Sequence, residues 1–334
     1  MLKEKILWML RKTDGYVSGQ ELCEQLGVSR TAIWKVIGQL KEEGYQIEAV
    51  KNRGYHMAAA PDVMTAEEIG SHLDTEVMGR CCIFYEETDS TNTRAKQLAE
   101  EGKPHGTLVC AERQTGGKGR RGRTWSSPPG EAVYMTLLLK PRIQPVHASM
   151  LTLVMGLAAA KACNEALYKK LGENAPKVQV KWPNDLVLEG RKLAGILTEM
   201  SAEVDYINYV VIGIGINVNM RRFPEEIAKV ANSLYQVSGQ TFSRAELTAC
   251  CMKHFEECYN RFSATEDLSG LKEDYESLLV NMNQQVRVLD PRQEYTGRAL
   301  GINEKGELLV EREDGQITPV YAGEVSVRGI YGYV

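Results

Sequence analysis

Residues 148–160 carry no charged side chain. A helix made from them has no polar face to turn to water, and the run is well short of the roughly 20 apolar residues that span a bilayer. It reads as a buried helix of a folded domain, so a membrane partner is not expected. The neighbouring sequence supplies material to bury it. Residues 82–85, 108–111, 133–139, 178–181, 186–188, 192–200 and 209–216 read as strands, and 91–102, 147–171 and 244–262 as helices. Strand runs with helices grouped between them favour an α+β domain with a mixed sheet covered on one face, placed here over 63–283.

One such domain does not use up the chain. At 334 residues, and about 150 residues per domain, two or three domains are expected. Residues 1–60 hold a different pattern. Leu2, Ile6, Leu7 and Leu10 recur at helical spacing, and Asp14-Gly15 ends that helix. Ser18 stands three residues before Glu21 as a capping box for a second helix, which Gly27 stops. Ser29 caps a third helix, whose inner face is Ile33, Val36, Ile37 and Leu40.

The pair joined at Gly27 has helix-turn-helix spacing, over about Gly19 to Gly38. Arg30, Thr31, Trp34 and Lys35 point outward where they can meet phosphates and base edges. Two short strands around Lys51-Asn52-Arg53-Gly54 make a wing, and 58–62 reads as a linker. A small helical bundle with a polar face is the competing reading. Residues 284–334 consist of short β-runs at 286–289, 295–302, 308–311, 317–321 and 325–327. Asp290-Pro291, Lys305-Gly306, Asp314-Gly315 and Ala322-Gly323 break them, so an SH3-like β-barrel is expected.

Charge and cysteine usage narrow the setting. The net charge is -4, yet residues 1–60 carry nine Lys/Arg against seven Asp/Glu, +2, which leaves -6 for the remainder. Eight scattered cysteines form no Cys-x-x-Cys pair, and charges interrupt the apolar residues of the N-terminus; a cytoplasmic protein with reduced thiols is expected.

The chemistry concentrates in four stretches. Residues 114–125 alternate Gly116, Gly117, Gly119 and Gly122 with Lys118, Arg120, Arg121 and Arg123, which suits a backbone wrapped around a polyanion but also fits a solvated basic loop. Nothing in it closes as a Walker loop or a dinucleotide fingerprint. Residues 88–93 put hydroxyls and an amide between a strand and a helix, where capping is the plain alternative. Lys181-Trp182-Pro183-Asn184-Asp185 follows a β-run, and its proline would hold Lys181 rigidly at the strand end. Gly213 and Gly215 permit either close ligand approach or tight strand packing.

In this order, Ser90-Thr91-Asn92, Gln114 with the Gly/Arg loop ending at Trp125, Lys181 to Asp185, Arg191-Lys192-Leu-Ala-Gly and Gly213-x-Gly-x-Asn217 resemble the motifs of biotin protein ligases. With a winged helix in front, the whole chain resembles those that also act as biotin operon repressors. The resemblance implies a biotin site of Ser90, Thr91, Asn92, Gln114, Lys118, Gly119, Arg120 and Lys181. It implies nucleotide contacts from Arg121, Arg123, Trp125, Lys192 and Asn217, with Lys181 and Arg120 catalytic and Trp125 over the adenine.

Position 118 is often arginine in relatives; lysine keeps the charge and gives up the planar fork. The implied substrates are biotin and ATP with Mg2+, and the implied partners are the biotin carboxyl carrier protein, operator DNA and a second copy of the chain in a ligand-promoted homodimer. Asp185 is either a helper in the transfer step or a residue that orients Asn184 and Lys181. A lipoate ligase is the runner-up within the fold, against which residues 181–185 and 119–125 argue. A ligand-sensing transcription factor without ligase activity is the alternative from another class.

Overall fold

The computed structural model describes residues 1–289 and 294–322, together with the backbone of 326–329. In the N-terminal unit, α1 (Leu2–Lys12), α2 (Gly19–Leu26) and α3 (Arg30–Glu42) precede a hairpin of β1 (Gln46–Val50) and β2 (Gly54–Ala59). The caps lie where the sequence put them. Ser18 Oγ accepts from Glu21 N at 3.0 Å, Ser29 Oγ accepts from Ala32 N at 3.2 Å, and Gly27 closes α2 at φ 66°. Ile6, Leu7, Leu10, Leu22, Ile33, Ile37 and Leu40 form a separate small core. Each large apolar side chain buried there contributes about 1.5–3 kcal/mol.

The central unit contains α4 (Ala66–His72), β3 (Cys82–Thr88), α5 (Thr91–Glu100), β4 (Thr107–Gln114), β5 (Ala132–Leu139) and α6 (Leu151–Leu171). It continues with β6 (Gln179–Lys181), β7 (Asp185–Leu188), β8 (Arg191–Ala202), β9 (Ile207–Asn217), α7 (Glu225–Ala228), α8 (Leu234–Ser238), α9 (Arg244–Thr265) and α10 (Lys272–Glu276). Seven strands form one mixed sheet in the order β3-β4-β5-β9-β8-β7-β6, parallel only between β3 and β4. The apolar run opens with a 3-10 turn, Pro145–Met150, before α6 begins, so the helix expected over 147–171 starts later than its sequence suggests. The stretch Pro145–Asn174 is long and apolar enough to cross a membrane, but here most of its apolar side chains are buried in the main core.

Helices cover both faces of the sheet, which corrects the expectation of one covered face. Leu108, Cys110, Met135, Leu137, Val210 and Ile212 join the core that includes α6 and α9. The intervening Val109, Leu138 and Val211 pack with Ala95, Leu98 and Ala99 of α5 on the other face. Alternate strand residues point to opposite sides, so β4, β5 and β9 each serve two layers.

The expected linker is pinned at its end. Asp62 accepts from Arg244 N and Nε, each at 2.9 Å, and Arg244 Nη1 also reaches Glu112 of β4 at 2.9 Å. The N-terminal unit is held a second way. Glu68 of α4, buried at 1% exposure, accepts from Arg11 of α1 and from the Tyr45 hydroxyl at 2.7 Å.

At the other end, β10 (Gln285–Leu289), β11 (Tyr295–Ile302), β12 (Leu308–Glu311), β13 (Ile317–Val320) and β14 (Ser326–Gly329) form one antiparallel sheet in the order β13-β12-β11-β10-β14. Of the turns expected there, Asp290-Pro291 and Gly323 lie outside the described residues.

Candidate active site

The cleft lies on the face of the sheet that α5 covers. At the start of α5 the plain capping reading fails for Ser90, whose side chain makes no cap bond although it is 2% exposed. The cap comes from β4 instead: Gln114 Oε1 accepts from Thr91 N at 2.9 Å and from the Thr91 hydroxyl at 3.1 Å. Gln114 Nε2 then donates to Ser127 Oγ at 3.0 Å. Ser90 is thereby left with its hydroxyl at the cleft.

Asn92 is fixed from below. Thr136 Oγ1 donates to Asn92 Oδ1 at 2.7 Å, while Asn92 Nδ2 donates to Leu197 O at 3.2 Å and to Glu199 Oε2 at 2.8 Å. Lys96 holds the other Glu199 oxygen at 2.5 Å. Burial pushes the Glu199 carboxyl up, but the bonds from Lys96 and Asn92 outweigh it and hold the group below the ordinary range. The amide sits directly on the backbone of Gly213, where a Cβ would come within 2.0 Å of Asn92 Oδ1. So the close approach that Gly213 permits is made by a side chain of the protein itself.

The Gly/Arg loop is folded. Gly119 N donates to Arg123 O at 2.7 Å, Trp125 N to Gly117 O at 2.9 Å, and Lys118 pairs with Thr124 in a short bridge. Arg121 turns the loop at φ 58°, the left-handed region that a side chain usually avoids. Arg120 is drawn inward and is half-buried. Its Nη1 donates to Asn184 Oδ1 at 2.8 Å and its Nη2 to Ala322 O, also at 2.8 Å. Desolvation, followed by repulsion from Arg121, lowers its pKa from the usual arginine value.

Trp125 folds back over Gly195 and Gly215, cross-strand partners on β8 and β9; a Cβ on Gly215 would stand 2.5 Å from its indole nitrogen. That nitrogen is buried without a hydrogen-bond partner among the described residues. Lys192 lies 5.4 Å above the ring and bonds Asp185 Oδ1 at 2.6 Å.

The cleft is thus lined by Ser90, Thr91, Asn92, Gln114, Lys118, Gly119, Arg120, Trp125 and Lys192 among the residues expected, together with Asn184, Gly195, Ile196, Leu197, Gly213, Ile214 and Gly215. Four expected residues do not line it. Arg121 and Arg123 are exposed. Asn217 is 6% exposed and donates to Asn232 O at 3.0 Å and Lys192 O at 3.5 Å, so it props the strand that carries Lys192.

Lys181 is 5% exposed at the end of β6, where the hairpin turns through a cis Trp182-Pro183 bond. It shares one cross-strand row with Asp185, Gly195 and Gly215 and therefore faces the same side as the cleft. Of the supporting residues, Thr136 and Glu199 were not anticipated. A lone threonine in the otherwise apolar 132–139 run was a readable signal; Glu199 gave none.

In the N-terminal unit, Arg30, Thr31, Trp34 and Lys35 are all exposed on α3, Trp34 at 70%. Arg30 is steadied by Gln20 Oε1 at 2.8 Å.

Comparison with known proteins agrees with this layout. Residues 84–217 match the Biotin/lipoate A/B protein ligase family, residues 3–56 an HTH domain, and residues 282–328 the Biotin protein ligase C terminal domain. The Bifunctional ligase/repressor BirA of Bacillus subtilis (strain 168) is 38% identical over 93% of this chain and 94% of its own length. The protein of that name from Escherichia coli (strain K12) is 35% identical over 93% and 92%. The solved biotin protein ligase from Aquifex aeolicus in complex with biotin and ATP is 33% identical, with a TM-score of 0.65 over 75% of this chain and 99% of that one.

Proposed function

This chain belongs to the biotin protein ligase family, in the branch that carries an N-terminal helix-turn-helix, and on that premise we propose how its residues carry out the two activities. It is an ATP-dependent biotin ligase and a transcriptional repressor. The observation that carries the ligase reading is the cleft itself, in which a fixed amide and hydroxyl cluster faces an inward-held arginine.

Ser90, Thr91, Asn92 and Gln114 are suited to a neutral, hydrogen-bonding head group such as the ureido ring of biotin. Their own bonds to Thr136, Ser127 and Glu199 set donor and acceptor directions before ligand arrives. A carboxylate is a poor acylating agent, so it must attack the α-phosphate of ATP, forming biotinyl-5'-adenylate and releasing pyrophosphate. Two anions meet in that step. Arg120 and Lys118 at the cleft, with Lys181 in the row behind Gly195, supply positive charge where it develops; one well-placed donor is worth roughly 3 kcal/mol. Trp125 and Lys192 bound the side assigned to the nucleotide, with Asn217 as the prop of Lys192. Arg121 and Arg123 reach phosphate only if the loop moves.

Among the described residues, those lining the cleft include no Asp or Glu, and Asp185 is engaged by Lys192. They do not make a magnesium site by themselves, so Mg2+ would come with the nucleotide phosphates and water. A lysine of the biotin carboxyl carrier protein then attacks the mixed anhydride, releasing AMP. Asp185, held by Lys192, fits an orienting role in this step.

For the repressor, the exposed face of α3 engages operator DNA. A unit of net charge +2 binds weakly alone, because phosphate neutralisation supplies most non-specific affinity, so two copies on one operator are required. We place the protein in the cytoplasm as a homodimer promoted by biotinyl-adenylate, with the adenylate as corepressor. Incubation with biotin, ATP and a carrier domain tests the ligase: label on the carrier lysine is expected, and an unlabelled carrier would leave a sensor without enzyme activity. Label from lipoate but not biotin would point to the lipoate branch.

A further inference from the structure

We propose that Glu165, Cys250 and His254 form a zinc-type divalent metal site that braces α6 against α9, on the side of the sheet away from the cleft. Glu165 is on α6; Cys250 and His254 are four residues apart on α9 and therefore share a face. Their donor atoms already converge. Glu165 Oε2 is 3.0 Å from His254 Nε2 and 3.5 Å from Cys250 Sγ, and all three atoms lie within 4.8 Å of one another. Four-coordinate zinc with usual bond lengths sets its oxygen and nitrogen about 3.3 Å apart, and its sulfur about 3.6 Å from either. Small side-chain movements reach that geometry.

Three details select a metal over a plain ion pair. Lys169 Nζ holds the other Glu165 oxygen at 3.0 Å, so a single oxygen is presented to the cluster, as a monodentate ligand would be. His254 Nδ1 is buried without a hydrogen-bond partner among the described residues, although Glu257 Oε2 waits 3.5 Å away. A ligating imidazole donates its second N–H to a carboxylate in that position, which fixes the tautomer. Finally, a thiolate and a carboxylate together neutralise a divalent ion, and a sulfur, nitrogen and oxygen donor set selects zinc over magnesium or calcium. On binding, the Cys250 S–H bond breaks, its electron pair becomes the sulfur–metal bond and the proton leaves to solvent. Because the cluster is only partly buried, water can complete the fourth position.

None of these residues belongs to the cleft, so the inference stands apart from the ligase reading and is tested without biotin or ATP. Full-length chain, freed of metal by chelator, is titrated with Co2+. One equivalent should give a thiolate-to-cobalt charge-transfer absorption with the visible bands of a four-coordinate ion, and Zn2+ should displace it. Cys250→Ser should remove the charge-transfer band. His254→Gln and Glu165→Gln should each weaken binding by more than about 100-fold, beyond the 10–100-fold that a supporting residue costs. Cys23→Ser, in the N-terminal core, should bind as the parent does. Failure of the parent to bind Co2+, or a charge-transfer band that survives Cys250→Ser, would overturn the proposal. Should one variant fail to fold, unaltered Co2+ affinity in either of the other two would do the same.

Discussion

Gly213→Ala is a sharp test of the cleft, because backbone entropy and local geometry predict opposite signs. Replacing glycine by alanine in a strand ordinarily favours the folded state, by about 0.4–1 kcal/mol, through the unfolded chain. At Gly213 the new methyl would stand 2.0 Å from Asn92 Oδ1 and 2.9 Å from its Cγ, distances at which something must shift. Asn92 cannot yield cheaply, since it is 4% exposed and its amide bonds Thr136, Leu197 O and Glu199.

Rotating the amide away breaks three bonds at about 1 kcal/mol each, with the one to a carboxylate worth somewhat more, or roughly 3–4 kcal/mol in total. After the entropy gain, about 2–3 kcal/mol of destabilisation remains. At about 2–4 °C per kcal/mol for a unit of this size, thermal unfolding should fall by roughly 4–12 °C. Calorimetry on the variant measures this, and biotin titration should show at least about a tenfold weaker Kd. Gly156→Ala in α6 is the control, because its methyl would meet Ile196 and Val180 at an ordinary 3.6 Å and should stabilise. A Gly213→Ala protein as stable as the parent, with unchanged biotin affinity, would refute the assignment of Asn92 as a fixed ligand-facing amide.

Other outcomes follow from single contacts. Gly215→Ala should expel the Trp125 indole from the sheet, seen as a change in tryptophan fluorescence and a higher KM for ATP; an unchanged spectrum would mean that the ring is not seated there. Glu199→Gln keeps the shape but loses the charge that anchors Lys96, so biotin affinity should drop about 3- to 10-fold, with Glu199→Ala worse; equal effects of the two would deny the anchoring role. Lys181→Ala should reduce pyrophosphate release by about 100-fold or more while biotin binding persists, whereas parallel losses would make Lys181 a general binding residue.

Glu68 provides a pH test. Burial raises its carboxyl, but His72, Arg11 and Tyr45 together bring it below the usual 4.5. A depressed folded value stabilises above about pH 4.5 and is lost as pH falls through it. Acid titration of the parent should therefore show loss of stability below about pH 4.5 that Glu68→Gln lacks. Identical acid curves would remove Glu68 from the contact between the N-terminal and central units.

Local rules carried much of the architecture into view. Capping serines, stop glycines and period-2 apolar runs are short-range signals, and Ser18, Gly27, Ser29 and the strands from β3 to β9 lie where those signals stood. The short helices α4, α7, α8 and α10 were invisible, since four to seven residues are too few to show a helical period. The site was legible as motifs but not as contacts. Nothing local says that Gln114 caps α5 across 23 residues, or that Glu199 reaches Asn92 across 107. Arg120 is the extreme case, bonding Ala322 at a separation of 202.

The two-sided use of the central strands bears on how ligand preference can drift. In β9, Val210, Ile212, Ile214 and Ile216 face the α6 and α9 layer, and Val211, Gly213, Gly215 and Asn217 face the other way. Neighbouring codons are therefore under different selection, one set chiefly for packing, with Ile214 also lining the cleft, and the next for what the cleft accepts. A lineage can exchange isoleucine for valine at 212 at about 0.5–1.5 kcal/mol and leave the amide and indole seats untouched. The converse freedom is narrower, because at 213 and 215 any side chain collides with a group already in place. New ligand preferences in this scaffold would thus arise from replacing the seated side chains, Asn92 and Trp125, while their glycine seats stay fixed.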